Sequence, residues 1–151
     1  MKTILVPVDF SDVTIKVVKV AVHLAKPFQS KIILMHATEN VPQLMGMGGG
    51  PDALPVPQAG ELANLPNYSE KLARLQEMIL AVGLTSTTVE LEGVTVDLIM
   101  SQAETSRVDL IVLGSHNRGP LSHLFLGSVA DSVLQRAKCP VLIVPLTDIG
   151  N

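Results

Sequence analysis

Four short stretches of this 151-residue chain are aliphatic without interruption, and their side chains do not alternate between polar and apolar. A strand that is buried on both faces has this pattern, and such strands belong to parallel sheets that helices cover on either side. The pattern therefore predicts an α/β fold with a parallel sheet at its centre. The stretches are residues 4–8, 32–35, 110–113 and 141–144.

A fifth stretch, residues 87–93, does alternate, with Val89 and Leu91 apolar between polar neighbours. Alternation indicates a strand with one face in water, so we expect this strand at an edge of the sheet. Pro7 lies within the first aliphatic stretch and cannot donate a backbone hydrogen bond to a neighbouring strand. We therefore expect Pro7 at the end of that strand.

A helical spacing of apolar residues predicts four helices in the remaining sequence. The first begins at Ser11, a good N-cap residue, and stops at Pro27. The fourth opens at Ser128, which has the capping-box distance to Asp131. The second and third helices cover residues 65–82, with Gly83 as the stop, and residues 96–105.

The resulting order, β-α-β-loop-α-β-α-β-α-β, predicts a single domain over residues 1–151. It is an α/β domain with one open parallel five-stranded sheet, right-handed crossovers and helices on both faces. Residues 41–66 show no helical or strand-like spacing of apolar residues, because they are rich in Gly, Pro and Met. A connection of this length exceeds ordinary ones, so we interpret it as a flexible loop within the domain.

Composition excludes several classes of function. With 11 Lys and Arg against 14 Asp and Glu, a net charge of -3 predicts no binding of nucleic acid. Aromatic residues make up only 3% of the chain, which removes the stacking platforms of single-strand binders. The single cysteine, Cys139, allows no internal disulfide and fits a reducing compartment, so we expect a cytoplasmic protein. No stretch reaches the roughly 20 apolar residues that span a bilayer, and we expect neither a signal peptide nor membrane binding.

A ligand site is expected at the carboxyl ends of the strands, because an open parallel sheet leaves a crevice there. Asp9, Ala37 and Gly114 leave the first, second and fourth predicted strands at this edge. Gly127 and Ser128 precede a helix whose first N–H groups and dipole favour an anion. These residues together predict a phosphate site.

Five motifs spread over the chain carry a family resemblance. The first two are the opening Ile4-Leu5-Val6-Pro7-Val8-Asp9-Phe10-Ser11 and the strand end Leu34-Met35-His36-Ala37. The others are Asp109-Leu110-Ile111-Val112-Leu113-Gly114-Ser115-His116, Leu126-Gly127-Ser128-Val129-Ala130 and Cys139-Pro140-Val141-Leu142-Ile143-Val144-Pro145. Through these motifs the chain resembles the universal stress protein family over essentially its whole length.

The resemblance implies a Rossmann-like sheet of the adenine nucleotide alpha hydrolase-like type and a homodimer paired through the last strand. The aliphatic run from Val141 to Val144 supports that pairing, since a second copy would cover an exposed edge. One branch of the family has an ATP site, marked by glycine, two residues, glycine, nine residues and then Gly-Ser or Gly-Thr. Here Gly114 begins the motif and Gly127 precedes Ser128 at its end, but Asn117 replaces the middle glycine.

Asn tolerates the left-handed backbone that glycine permits, so we expect the site to bind ATP or AMP, with or without Mg²⁺. By position, the resemblance implies that Asp9 accepts hydrogen bonds from the ribose, and that Val8 and Ala37 meet adenine. No catalytic residue and no metal ligand is implied. Pro7 is also an implied nucleotide contact. The other implied contacts are Leu113, Gly114, His116 and Asn117 near ribose and phosphate, and Gly127, Ser128, Val129 and Ala130 on the phosphates.

Several residues also have a purely structural interpretation. Asp9 and Ser128 are good helix caps, and His116 fits an ordinary loop. His36 fits a hydrogen-bonded strand end better than a metal site. Cys139 fits a small packing residue better than a nucleophile.

Three functions compete on the sequence. A regulatory or protective protein that binds an adenine nucleotide leads, because the chain has a phosphate site but no positioned base or catalytic lysine. A dimeric interaction module that does not bind ATP is the alternative, since Asn117 changes the motif. A slow ATP hydrolase is the third.

Overall fold

A computed structural model describes residues 1–39, 67–115 and 127–146, so the predicted loop at residues 41–66 lies outside the described residues. A 3-10 turn, Lys26–Phe28, continues the first helix past Pro27. The strands are β1 Thr3–Pro7, β2 Lys31–Thr38, β3 Ser86–Glu92, β4 Leu110–Ser115 and β5 Val141–Pro145. The helices are α1 Thr14–Ala25, α2 Tyr68–Leu80, α3 Thr95–Thr105 and α4 Ser128–Arg136.

The five strands form one parallel sheet in the order β3-β2-β1-β4-β5. This confirms the predicted open parallel sheet, and Pro7 is the last residue of β1, as expected. From β1 the chain moves outwards through β2 to β3, and then crosses to the other side of β1 to form β4 and β5. The direction of winding therefore reverses between β1 and β4, which opens a crevice at the carboxyl ends of these two strands.

Helices cover both faces of the sheet, and this explains the uninterrupted aliphatic stretches. Ile4 of β1 packs in the core beneath α1 and α2, whereas Leu5 packs in the core beneath α3 and α4. Both side chains are 0% exposed. A strand between two such cores has no wet face, so the consecutive residues in its middle are all apolar.

The structure confirms that the alternating stretch is an edge strand, β3. It is the last strand of the sheet on the β2 side, and every second residue from Thr88 to Glu92 is exposed. Val89 and Leu91 point inwards and pack against the core beneath α3 and α4. The helix that leads into β3 stops as predicted, because Gly83 adopts the left-handed φ of +79° shortly after α2 ends.

The N-caps of α1 and α4 differ from the predicted ones. The N-cap of α1 is Val13 and not Ser11, because the Asp9 carboxylate accepts hydrogen bonds from Ser11 and holds it in a turn before the helix. The N-cap of α4 is Gly127, and Ser128 is the first helical residue, so the predicted capping box does not form. The N–H of Asp131 donates instead to the carbonyl of Gly127 at 2.9 Å.

Two strands run further than predicted. Ala37 and Gly114 were expected just beyond the ends of their strands, but they lie inside β2 and β4. Pairing with Leu91 of β3 and with Val144 of β5 extends the two strands past these residues. None of the helices in the described part of the chain is long and apolar enough to cross a membrane.

Candidate functional site

A cavity of about 340 Å³ lies in the crevice at the carboxyl ends of β1, β2 and β4. The first turns of α1, α3 and α4 close it from the sides. Its lining is mainly aliphatic, and Asp9 is the one ionisable side chain among the described residues that line it. The reversal of winding therefore produces a pocket where the predicted strand ends meet.

The structure brings ten of the predicted site residues together around this cavity. The predicted residues His116 and Asn117 lie outside the described part of the chain. The ten are Pro7, Val8, Asp9, Ala37, Leu113, Gly114, Gly127, Ser128, Val129 and Ala130.

Six further residues line the cavity, and the sequence motifs do not assign these six to the site. The periodic signal that marks core residues placed most of them in the interior, and only the fold shows that this part of the interior is hollow. Thr14 and Thr95 are the exceptions, because both are polar and neither belongs to an apolar periodic pattern. The six are Val13, Thr14, Val17, Met35, Thr95 and Ile99.

Asp9 lies at the mouth of the cavity and organises the turn between β1 and α1. Its Oδ1 accepts hydrogen bonds from the Ser11 N–H at 3.1 Å and from the Ser11 hydroxyl at 2.6 Å. The hydroxyl of Thr14, at 3.4 Å, also points to this oxygen. Asp9 therefore orders the approach to α1 and lines the cavity at the same time, although it does not cap the helix.

Phe10 is held in a strained conformation behind this turn. Its φ of +60° is unusual for a bulky side chain. The ring packs on those of His36 and Tyr68, with centroids 4.8 and 5.5 Å away, and Lys71 Nζ lies 5.3 Å above it. This aromatic cluster anchors the turn from the side away from the cavity, and none of its rings is among the lining residues.

His36 completes the anchoring of β1. Its Nδ1–H donates to the carbonyl of Val8 at 2.8 Å, and the side chain is buried. The structure thus shows His36 as a hydrogen-bonded residue near the end of β2, as the sequence suggested. Within residues 1–39, 67–115 and 127–146, no group of three His, Cys, Asp or Glu side chains could hold a metal ion.

The first turn of α4 opens onto the cavity from the other side. Gly127 has a φ of +90°, a conformation in which a side chain would be strained. Gly127 at the N-cap position has no side chain that could cap the helix, and Ser128, Val129 and Ala130 of the first turn line the cavity. The first N–H groups of a helix lack partners within the helix and carry the positive end of its dipole, so this turn suits an anion.

Gly114 lines the cavity and also has a packing role. A Cβ at this position would lie 2.5 Å from Cγ1 of Val13 and 3.2 Å from Cγ2 of Val17. The missing side chain therefore lets α1 lie close to the end of β4. Gly114 therefore shapes the cavity, because α1 packs against it and contributes part of the cavity wall.

Comparison with known proteins decides the family. Residues 1–145 match the universal stress protein family. This chain is a member of the universal stress protein family. Universal stress protein MJ0531 of Methanocaldococcus jannaschii is 32% identical over 146 residues, which cover 95% of this chain and 81% of the relative.

Solved structures of universal stress proteins share the fold. The structure of MJ0577 from Methanocaldococcus jannaschii matches with a TM-score of 0.74 and 25% identity, covering 97% of both chains. A universal stress protein solved in complex with cAMP matches with a TM-score of 0.68 and 24% identity, covering 97% of this chain and 98% of the other. The family and the Rossmann-like α/β fold that the motifs implied are both confirmed.

The single cysteine of this universal stress protein lies away from the cavity. Cys139 is half-buried and packs against the core beneath α3 and α4. Burial raises the pKa of its thiol, and the nearby negative charge of Asp109 raises it further. The thiolate is therefore disfavoured, which agrees with a packing residue and not with a nucleophile.

Proposed function

We propose that this universal stress protein is a regulatory or protective protein that binds an adenine nucleotide, AMP or ATP, at the carboxyl ends of β1 and β4. The observation that carries the proposal is the start of α4, where the left-handed Gly127, which has no side chain to cap the helix, leads into a first turn on the cavity wall. The backbone amides of this turn would hold phosphate oxygens without a basic side chain.

The rest of the cavity suits a nucleoside. Val8, Ala37 and Ile99 form an aliphatic surface near β1 and β2 against which a base can lie. Asp9 is exposed at the mouth, where its carboxylate would accept hydrogen bonds from ribose hydroxyls. The structure of a family member in complex with cAMP has the same fold, which supports an adenine nucleotide as the ligand class.

The proposal includes no dedicated catalytic centre. Hydrolysis of ATP needs a group that positions or deprotonates water, and Asp9, the one ionisable side chain among the described residues that line the cavity, is the residue proposed to bind the ribose. We expect ATP incubated with the protein to yield ADP at the rate of the buffer alone. Steady ADP formation that an Asp9→Asn variant abolishes would establish a slow hydrolase instead.

The binding site can be tested with two glycine variants. Gly127 and Gly83 both have a left-handed φ, and at either position an added Cβ would meet no atom of the described residues within 4 Å. Each change to alanine therefore introduces the same kind of backbone strain, about 1–2 kcal/mol. Gly127 lies at the cavity, whereas Gly83 precedes β3 at the other end of the sheet.

Isothermal titration calorimetry with AMP, and with ATP in the presence and absence of Mg²⁺, measures the outcome. We expect Gly127→Ala to weaken nucleotide binding by roughly 10- to 100-fold, through lost amide–phosphate hydrogen bonds. Gly83→Ala should lower stability but leave the Kd unchanged. If the wild-type protein binds neither nucleotide, an interaction module without ATP binding is the better description.

We also propose that two copies pair through β5. This strand is at the edge of the sheet, and its apolar residues Val141, Leu142 and Ile143 are each only half-buried. Ile111 of β4 donates its N–H to the carbonyl of Pro140 at 3.0 Å. Successive residues of a strand point their backbone N–H and C=O groups in opposite directions. Pro140 faces β4, so the N–H and C=O groups of Val141 and Ile143 point towards the open edge. A second β5 would cover both these groups and the apolar side chains.

Two variants of one residue test the pairing. Ile143→Pro removes an N–H that faces the open edge, while Ile143→Ala removes a similar amount of side chain but keeps this N–H. In analytical ultracentrifugation at micromolar concentration, we expect the wild-type protein and Ile143→Ala to sediment as dimers and Ile143→Pro as a monomer. A monomeric wild-type protein would contradict the proposal.

A further inference from the structure

The cavity has two chemically different ends. The start of α4 lies on the β4 side, where the proposed function places the phosphates. On the β2 side the wall consists of Met35, Ala37, Thr95 and Ile99. Thr95 carries the one side chain of this group that can form a strong hydrogen bond. Thr95 is therefore the one residue of this wall whose side chain carries a polar hydroxyl group.

The position of Thr95 is fixed by the strands on either side of it. Gly93, with a φ of +142°, turns the chain between β3 and α3. Its N–H donates to the carbonyl of Thr38 at 2.9 Å, which ties this turn to the end of β2. Thr95 begins α3 two residues later, and Glu39 directly follows β2. The two side chains are thus brought together by backbone contacts.

The pair has a defined hydrogen-bond direction. The hydroxyl of Thr95 donates to Oε1 of Glu39 at 3.3 Å. A carboxylate can only accept, so the hydroxyl hydrogen is directed to Glu39. The remaining lone pairs of the Thr95 oxygen can then only accept hydrogen bonds. The base end of the cavity therefore presents an acceptor, with a negative charge behind it.

We propose that Thr95, oriented by Glu39, selects the base by accepting a hydrogen bond from the exocyclic amino group of a 6-aminopurine. A 6-oxopurine places a carbonyl oxygen at that position, and two acceptors facing each other repel. The pair therefore favours adenine over hypoxanthine. This inference rests on the proposed nucleotide site and adds to it the residue that discriminates between purines.

The test compares AMP with IMP, which differ in this edge of the base, by isothermal titration calorimetry on the full chain. We expect the wild-type protein to bind AMP about tenfold more tightly than IMP, the effect of one hydrogen bond. Thr95→Val keeps the shape of the side chain but removes the hydroxyl, and should bring the AMP-to-IMP affinity ratio close to one. Thr95→Ser keeps the hydroxyl and should retain the preference.

A Glu39→Gln variant tests whether Glu39 sets the direction of the Thr95 hydrogen bond. The amide of glutamine can donate to the Thr95 oxygen, which frees the hydroxyl hydrogen to meet a carbonyl, so the preference should move towards IMP. An AMP-to-IMP ratio that Thr95→Val leaves unchanged would overturn the inference and indicate that backbone amides read the base. Equal wild-type binding of AMP and IMP would overturn it as well, with the nucleotide site intact. Binding of neither nucleotide would overturn the proposed function and this inference together.

Discussion

At the scale of single residues, small departures from ideal geometry shape the cavity. Phe10 adopts a positive φ and is held there by the rings of His36 and Tyr68. The strained turn leaves Asp9 at the cavity mouth while the aromatic ring points to the other side. Strain of this kind persists only where surrounding contacts compensate for it, and here these contacts come from β2 and α2.

Gly114 provides a prediction at the same scale. We expect Gly114→Ala to lower the free energy of unfolding by about 1–3 kcal/mol, because the added methyl would overlap the stiff, buried side chain of Val13. Urea denaturation measures this loss. Combining it with Val13→Ala makes room for the methyl, so the double variant should lose less stability than the two single changes added together. Strictly additive losses would contradict this packing.

At the scale of elements, hydrogen bonds connect the amino ends of β1 and β4, whereas the cavity lies at the carboxyl ends of these strands. Asp109, just before β4, accepts hydrogen bonds through Oδ2 from the N–H groups of Lys2 at 2.6 Å and Thr3 at 2.9 Å. These two backbone hydrogen bonds, with that of Thr3 the larger contributor, lower the pKa of Asp109 below 3.8. One carboxylate thus fastens the start of β1 to the start of β4.

The lowered pKa predicts a pH dependence. Because the folded state holds the Asp109 carboxylate ionised, its stabilisation is present above the ordinary pKa of 3.8 and disappears as the pH falls through the lower pKa of the folded state. Asp109→Asn should lower the free energy of unfolding near neutral pH by about 1 kcal/mol or less, since the group is exposed. In urea titrations at decreasing pH, the difference from the wild-type protein should shrink towards zero. A difference that is constant at every pH would show that the charge is not responsible.

At the scale of the whole molecule, the proposed ligand joins elements that are far apart in the sequence. A nucleotide between Asp9 and Gly127 would contact the ends of β1 and β2 and the start of α4 together. Because this arrangement exists only in the folded chain, binding favours the folded state by mass action.

Thermal unfolding tests this coupling. AMP at a hundredfold excess over its Kd should add about 2.7 kcal/mol of stability and raise Tm by roughly 5–10 °C for a chain of this size. The Gly127→Ala variant should show a much smaller rise at the same AMP concentration, whereas Gly83→Ala should respond like the wild-type protein. A wild-type Tm that does not respond to AMP would argue against a site built by the fold.

The sequence by itself determined the strands, their parallel arrangement and the family. Burial on both faces selects aliphatic residues at consecutive positions in the middle of a central strand, as at Ile4 and Leu5. This pattern can be recognised in the local sequence. Turn residues such as Gly83 and Pro7 are equally local signals. Helix starts were harder to predict from the sequence, because a residue such as Ser11 can either cap a helix or form a hydrogen bond with Asp9.

Only the tertiary structure decided the strand order and what that order brings together. Thr95 reaches the cavity because β2 lies between β1 and β3, which places the start of α3 beside the end of β2. Val13 meets Gly114 because β4 lies next to β1. Contacts of this kind join residues that lie far apart in the sequence through the packing of whole elements. A periodic pattern along the chain shows which face of an element is buried, but not which other element covers it.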